Sequence, residues 1–390
     1  MKSYRFKLFN NKRKARRLEG ELRIFWEVYN HSLRIIRGYY KIFGKHPSKA
    51  KLQKHLAKQA KTQFPHWEAI GYSQGIQEVT DRLYKSYDAF FKWIKTRKGD
   101  KKSPPKFKSF RKYKSFTLKQ AGWELDEEKS RVRIGPNWYR YNNSRKIQGI
   151  PKTINIKRDA VGDWFISISC EIKEEFIPSK IIPMTGKSAG FDFGLKSFLT
   201  ASDGTKHDSN EFLKQSLNEL AKANRSIAKK EKGSKNRRKS KKSLARLHRK
   251  ISNKRLDAHY RLANKILRDY DNLFFENLTL VGMKKLWGRK VSDYGFATFL
   301  KIVELKANEH GKTFHKIDRF YPSSKLCSNP KCGGIKAKED LTLAVRIFKC
   351  DCCGLELDRD LNAAINILRE GASSLGLDGV SRTAKSASVA

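Results

Sequence analysis

Two kinds of anionic ligand crowd the stretch from Tyr321 to Leu368, YPSSKLCSNPKCGGIKAKEDLTLAVRIFKCDCCGLELDRDLNAAINIL, which holds five of the six cysteines and then a carboxylate cluster. Cys327 and Cys332 flank an Asn-Pro turn, Cys350 and Cys353 flank a second turn, and seventeen residues separate the pairs. That is long enough for a hairpin that returns one pair to the other, the spacing of a zinc ribbon in which four thiolates hold Zn²⁺. The first knuckle has four intervening residues rather than two, and Cys352 offers a competing thiolate. Cys327, Cys332, Cys350 and Cys353 are therefore the preferred ligand set. Gly333 and Gly354, directly after the knuckles, are expected to supply positive φ where the backbone turns back. The competing reading is disulfides or buried thiols; it suits secreted chains, and this basic sequence opens without a secretory signal.

Carboxylates supply the second chemistry. LDRDLNAAINIL reads as a helix start, with Asp358 or Asp360 at the cap and first turn and Ala364, Ile367 and Leu368 on one face. An aspartate there is ordinarily a cap. It gains weight from two acidic residues far upstream. GFDFGLKSFLT, residues 190–200, reads as one buried strand with Asp192 among apolar neighbours, and a charge so placed needs a partner or a metal. FFENL puts Glu276 at the end of another apolar strand, Asn272 to Phe275. Two strand carboxylates and one on a late helix are what a phosphodiester-cleaving site needs to hold Mg²⁺ or Mn²⁺ ions about 4 Å apart.

The rest of the chain must position these groups and meet their substrate. Across 390 residues, 85 Lys and Arg stand against 39 Asp and Glu, a net charge of +46. An enzyme of small molecules gains nothing from such self-repulsion, so a polyanion is the expected partner. No apolar run approaches the roughly 20 residues that span a bilayer; nucleic acid is favoured over a membrane, in a prokaryotic cytoplasm.

MKSYRFKLF alternates as a strand, and Leu18, Leu22, Phe25, Tyr29, Leu33, Ile36 and Tyr40 then recur at helical spacing. A short basic helix over Lys49 to Lys61 follows. Ile76, Val79, Leu83, Tyr87, Phe90 and Ile94 mark a third helix, completing a bundle. In KFKSFRKYKSFTL, Phe107, Phe110, Tyr113 and Phe116 alternate with Lys106, Lys108, Arg111, Lys112 and Lys114. This pattern suits base stacking with phosphate contact, or else a half-buried edge strand. Short strands up to Lys173, with Cys170 in their core, predict a small β-barrel completed by the N-terminal strand, the bundle inserted between its first two strands. Beyond a linker, residues 221–255 hold 16 cations against Glu231. They read as two basic helices joined by the KGSKNRRKSKK loop, with Lys235, Arg237, Arg238, Lys239, Lys241 and Lys242 laid along phosphates. A helix from about Tyr294 to Glu309 and a strand in HKIDRFYPSS lead into the ribbon. The tail from about Ser373 reads as disordered.

In their order, Asp192 in GFDFGLKSFLT, Glu276 in FENL, the YPSSKLC and CDCCG knuckles and DRDLNAAINIL resemble TnpB, the RNA-guided nuclease family of insertion sequences related to type V CRISPR effectors. The resemblance spans nearly the whole chain, with a longer first knuckle as its departure. It implies an α/β multidomain fold: a RuvC-type, RNase H-like catalytic domain over residues 186–320 and 355–372, with the zinc ribbon (321–354) inserted. It also implies a wedge β-barrel over 1–10 and 105–180, carrying a helical recognition domain over 11–104, and leaves 373–390 as tail. By that resemblance Asp192, Glu276 and Asp360 are the catalytic carboxylates, Asp358 is a neighbour, and guide RNA and target DNA are the partners. A transposase, an unguided structure-specific nuclease and a non-catalytic nucleic-acid-binding zinc protein are the alternatives.

Overall fold

A computed structural model of the chain describes residues 1–9, 11–70, 73–99, 101–172, 181–194, 196–208, 211–277, 288, 291–337, 340–341 and 345–377. It divides into two units, Met1–Phe176 and Ile177–Ala390.

In the first unit β1 (Lys2–Phe9) buries Tyr4, Phe6 and Leu8 and exposes the residues between them, the period-2 pattern of a half-buried strand. Three helices follow. α1 (Lys12–Phe43) starts where the Asn11 side chain accepts the Lys14 N–H and ends at Gly44, whose left-handed φ of 65° suits glycine. α2 (Lys49–Thr62) is capped by Ser48, and α3 (Ser73–Thr96) lies beyond a 3-10 turn at Pro65–Ile70. The predicted α1 stripe is buried from Leu18 to Ile36, whereas Tyr40 emerges at 53% exposure. Next come β2 (Ser115–Leu118), β3 (Trp123–Asp126), β4 (Arg131–Ile134), β5 (Asn137–Tyr141), β6 (Ile150–Arg158) and β7 (Trp164–Glu171). They pair in the order β2-β6-β7-β1-β5-β4-β3, so the N-terminal strand is central and α1 to α3 are an insertion between β1 and β2. Cys170 is buried among these strands.

The second unit is built on a five-stranded mixed sheet. β8 (Ser188–Asp192), β9 (Leu199–Ala201) and β10 (Lys206–His207) are antiparallel neighbours. α4 (Phe212–Gln215), α5 (Leu217–Ala228) and α6 (Lys235–Asp269) lead to β11 (Asn272–Phe275). α7 (Phe296–Glu309) returns the chain to β12 (Thr313–Lys316), and β8, β11 and β12 run parallel in the order β10-β9-β8-β11-β12. The helices cover both faces. Leu273 and Phe275 pack with Ala263, Ile266 and Leu267 of α6 and with Phe299 and Val303 of α7. Phe274 points the other way, onto Ile367, Leu368 and Ala372 of the last helix, α8 (Arg359–Ser374). The ribbon hairpin of β13 (Ile347–Lys349) and β14 (Glu356–Asp358) pairs Phe348 with Leu357 and runs straight into α8.

Three expectations need correction. Residues 190–200 are two strands rather than one, because the chain leaves β8 after Asp192 and rejoins at Leu199. KGSKNRRKSKK is not a loop; from Lys235 it is helix, started by the Ser234 hydroxyl, which accepts the Arg237 N–H at 3.1 Å. Absence of an apolar stripe over its first turns hid a helix that Lys and Arg favour intrinsically. Finally, α8 continues through Ser373 to Ser374, so the tail begins later, and its residues 378–390 lie outside the described ones.

Candidate active site and zinc ribbon

Register brings the first two carboxylates together. Phe275 of β11 pairs with Phe191 of β8 in parallel, so Asp192 and Glu276, the next residue of each strand, leave the sheet side by side at its C-terminal edge. α8 delivers the third. A Cβ on Gly190 would lie 2.2 Å from the Ala364 carbonyl oxygen, and one on Gly371 2.2 Å from the Phe274 ring. Only glycine lets the helix lie so close to the sheet. Asp360 occupies its first turn, and a Cβ on Gly194 would sit 3.4 Å from Asp360 Oδ2.

Electrostatics register the crowding. Burial pushes the Asp192 carboxyl well above the usual carboxylate range, and the charges of Glu276 and Asp360 push it further, against Arg359. Burial raises Glu276 too, opposed by the Ser323 hydroxyl, which donates to Glu276 Oε1. Such repulsion is what a divalent cation between carboxylates would relieve, so the donor set suits Mg²⁺ or Mn²⁺. Asp358 plays a different part. Its Oδ1 accepts the N–H groups of Asp360 and Leu361 at 3.0 and 3.1 Å, and its Oδ2 accepts Lys206 Nζ at 2.7 Å. It caps the helix that carries Asp360, and although burial raises its pKa, Lys206 and the cap hydrogen bonds bring it net below the ordinary value.

All six cysteines are free, and the Sγ atoms of Cys327, Cys332, Cys350 and Cys353 lie within 4.8 Å of one another. Cys327 to Cys353 and Cys332 to Cys350 are each 3.6 Å apart. A disulfide needs about 2.05 Å; a zinc tetrahedron with bonds of about 2.3 Å has edges of about 3.8 Å. The thiols therefore fit a zinc ion, and among the described residues no other group of three or more potential ligands is so tightly gathered. Cys350 is pulled down to about 6, first by the Cys353 N–H and also by the Cys352 N–H, which favour its thiolate. Burial pushes Cys327 up to about 12. Gly354 has the expected positive φ of 71°, but Gly333 does not. Gly334 is the constrained one: a Cβ there would lie 2.9 Å from Cys352 Sγ and 3.1 Å from Cys350 Sγ.

The basic segments differ in what they leave free. Between Lys106 and Leu118 the aromatic rings are largely used inside the first unit. Tyr113 and Phe116 are buried, Phe116 stacks on Phe25 at 4.7 Å, and Arg23 lies over Phe110 at 4.7 Å. Phe107 alone of the four is half exposed, beneath Arg37. Lys108 is half-buried over the Tyr29 ring, and its backbone exchanges two hydrogen bonds with the Asn30 amide at 2.9 and 3.0 Å. Lys106, Arg111, Lys112 and Lys114 stay exposed. On α6, Lys235, Arg238, Lys239, Lys241 and Lys242 are exposed, while Arg237 reaches back to the Lys230 carbonyl.

Sequence reasoning missed the polar groups behind these sites. Asn362 and Asn366 of α8 are fully buried and bind the backbone of the first knuckle. Asp271 and Lys312, just before β11 and β12, form a buried ion pair at 2.8 Å. Two asparagines four apart inside an otherwise apolar helix face were the available signal for the first; nothing local marks the second.

A mixed sheet with carboxylates at its strand ends, and a four-thiol ribbon feeding the helix that carries a third carboxylate, place the chain in a known class: it belongs to the TnpB family. Residues 167–286 match the family model described as "Probable transposase", and residues 296–367 match "Cas12f1-like, TNB domain". The chain is 31% identical over 312 residues to the Streptomyces pristinaespiralis protein named "Putative RNA-guided DNA endonuclease", covering 78% of this chain and 73% of that one. It is 25% identical over 374 residues to "Putative RNA-guided DNA endonuclease InsQ" of Escherichia coli (strain K12), covering 91% and 88%. Its fold is like that of the protein in "Cryo-EM structure of the Cas12f1-sgRNA-target DNA complex", with a TM-score of 0.53 at 17% identity over 92% of this chain and 83% of that one. Among the described residues no helix is long and apolar enough to cross a membrane.

Proposed function

We propose that the chain is an RNA-guided DNA endonuclease that hydrolyses target DNA with divalent metal ions held by Asp192, Glu276 and Asp360. The observation that carries this reading is the convergence of those three carboxylates at the end of β8 and β11 and the start of α8, where burial raises Asp192 and the charges of Glu276 and Asp360 raise it further. Relatives named as RNA-guided DNA endonucleases support the guided activity and its two partners, a guide RNA and a target DNA. The strand order β10-β9-β8-β11-β12 supports a RuvC-type, RNase H-like catalytic domain over 186–320 and 355–372, with the ribbon of 321–354 inserted and bound to Zn²⁺ through Cys327, Cys332, Cys350 and Cys353. The first unit then serves as wedge (1–10 and 105–180) and helical recognition domain (11–104). The exposed cations of the 106–114 segment in the first unit and of α6 in the second are the phosphate contacts.

When bound, a pair of Mg²⁺ or Mn²⁺ ions supplies a nucleophilic hydroxide and neutralises charge on the attacked phosphate. The protein's part is placement. Asp192 and Glu276 are fixed by paired strands, Asp360 by a capped helix packed on glycine, and Arg359 offers a positive charge beside them. Asp192→Ala should reduce cleavage by about three orders of magnitude or more, as for a group that acts as one unit with its partners. RNA and DNA binding and the melting temperature should hold, because the change relieves repulsion. The assay is cutting of a labelled DNA duplex by the protein with its copurified RNA, with binding measured on the same samples. Undiminished cutting would sink the nuclease reading.

A further inference from the structure

The ribbon and the carboxylates share a set of buried hydrogen bonds. Ser323, buried at the root of the ribbon, donates its hydroxyl to Glu276 Oε1, and its carbonyl accepts Asn366 Nδ2 at 2.9 Å. The same Nδ2 donates to the Leu326 carbonyl at 2.6 Å, which also accepts Asn362 Nδ2 at 2.8 Å. Asn362 Oδ1 accepts the Ser328 N–H at 2.9 Å. Cys327 lies between Leu326 and Ser328, so α8 grips the chain on both sides of a thiol. That helix carries Asp360 two residues before Asn362. Both asparagines are fully buried, and polar groups are kept in such positions by the bonds they make.

We propose that Ser323, Asn362 and Asn366 form a clasp that fixes Glu276 and Asp360 relative to each other by tying both to the first zinc knuckle, so that the ribbon sets the metal affinity of the carboxylate site. The inference rests on the nuclease reading above and makes these three positioning residues, since none of them touches a reacting atom. Without the Ser323 hydroxyl, Glu276 is free to rotate away from Asp192. Without the Asn366 donors, α8 holds the knuckle through Asn362 alone and the contact to Ser323 is lost, while every carboxylate and every thiol is still present.

The test compares Ser323→Ala, Ser323→Thr and Asn366→Leu with the parent in the zinc-loaded protein carrying its copurified RNA. Mn²⁺ binding is followed by electron paramagnetic resonance, and cleavage is followed against Mg²⁺ concentration. Loss of hydrogen-bonded support around metal ligands typically weakens metal binding about 10- to 100-fold. Ser323→Ala should therefore weaken Mn²⁺ binding and raise the half-saturating Mg²⁺ about tenfold or more. Zinc content and the rate at saturating Mg²⁺ should change far less, and Ser323→Thr, which keeps the hydroxyl, should restore both affinities. Asn366→Leu should act in the same direction at intact zinc content; if it fails to fold, the serine pair decides. Parental Mn²⁺ affinity in Ser323→Ala overturns the clasp while leaving the nuclease reading in place. A parent protein without any Mn²⁺ signal that Asp192→Ala removes overturns the nuclease reading, and the clasp with it.

Discussion

The four thiols and the three carboxylates are both sets of anionic ligands, yet the chain assembles them by opposite routes. The thiols sit on two turns close in sequence, Cys327 and Cys332 inside the Leu326–Ile335 bridge and Cys350 and Cys353 inside the β13–β14 hairpin, around a small core of Leu341 and Phe348. So small a core cannot hold a fold by burial alone, and in such modules metal-binding energy is folding energy. The carboxylates span residues 192 to 360 and are brought together by a sheet covered on both faces. Here the apolar scaffold supplies the stability, and the site works against it through repulsion. On the proposed reading one site is made by its metal and the other is made for it.

The sharpest way to break this contrast is to remove one ligand from the thiol set. Cys350→Ala should abolish zinc retention, where binding in comparable modules amounts to about 10 kcal/mol or more, and should remove amide protection from β13 and β14. Protection in β8 and β11 should persist. Cys352→Ala, outside the gathered set, should keep about one equivalent of zinc. Measurement is elemental analysis together with hydrogen exchange. Zinc loss from Cys352→Ala but not from Cys350→Ala would reverse the ligand assignment, and collapse of the sheet along with the ribbon would end the contrast.

The next effect lies in the scaffold. Lys312 Nζ donates to Asp271 Oδ1 at 2.8 Å and to the carbonyls of Leu267 and Pro183 at 2.6 and 3.0 Å, while Asp271 Oδ2 accepts the Thr185 N–H at 2.7 Å. Burial raises the Asp271 carboxyl, but Lys312 and the amides outweigh it and hold it below the ordinary range. Lys312→Met leaves that carboxylate buried and unpaired, which costs about 3–5 kcal/mol. Denaturant unfolding of the second unit should register the loss, with zinc content unchanged.

How much of this was legible in the sequence follows from where each residue's partners are. Asp192 and Glu276 stand out because apolar neighbours surround them in the chain itself, and Asp358 and Asp360 because a helix start is local. The ribbon was legible for the same reason. Ser323, Asn362, Asn366 and Lys312 were not, since each acts through groups brought near by tertiary structure: Ser323 lies 47 residues from Glu276 and Lys312 lies 41 from Asp271. For the aromatic and cationic segment at 106–118 the sequence left two readings open, base stacking or a half-buried edge strand, and only tertiary structure decides where the rings go. Tyr29, Arg23 and Phe25 of α1 occupy them.

The smallest of these effects separates the two sites by pH. His259 of α6 is buried beside Phe198 and Phe299, and its Nε2 lies 2.9 Å from the Tyr294 carbonyl, which can only accept, so this nitrogen carries the proton. Burial pulls its pKa down to about 4, and Arg255 adds to the effect against the Tyr294 carbonyl. In the unfolded chain the imidazole titrates near its usual value of about 6.5. Between those two values the unfolded state binds a proton that the folded state refuses, so stability rises with pH there. The contribution is complete above pH 6.5, declines as pH falls toward 4, and amounts to on the order of 3 kcal/mol across that window. A zinc-loaded ribbon would lose stability at low pH for a different reason, because its thiolates would give up zinc on being protonated. His259→Phe should therefore flatten the pH dependence of scaffold unfolding, followed by the amides of β8 and β11, while leaving the pH of zinc release unchanged. An equal slope in parent and variant would show that His259 contributes nothing to acid sensitivity. A shifted zinc-release curve would show instead that ribbon and scaffold unfold as one.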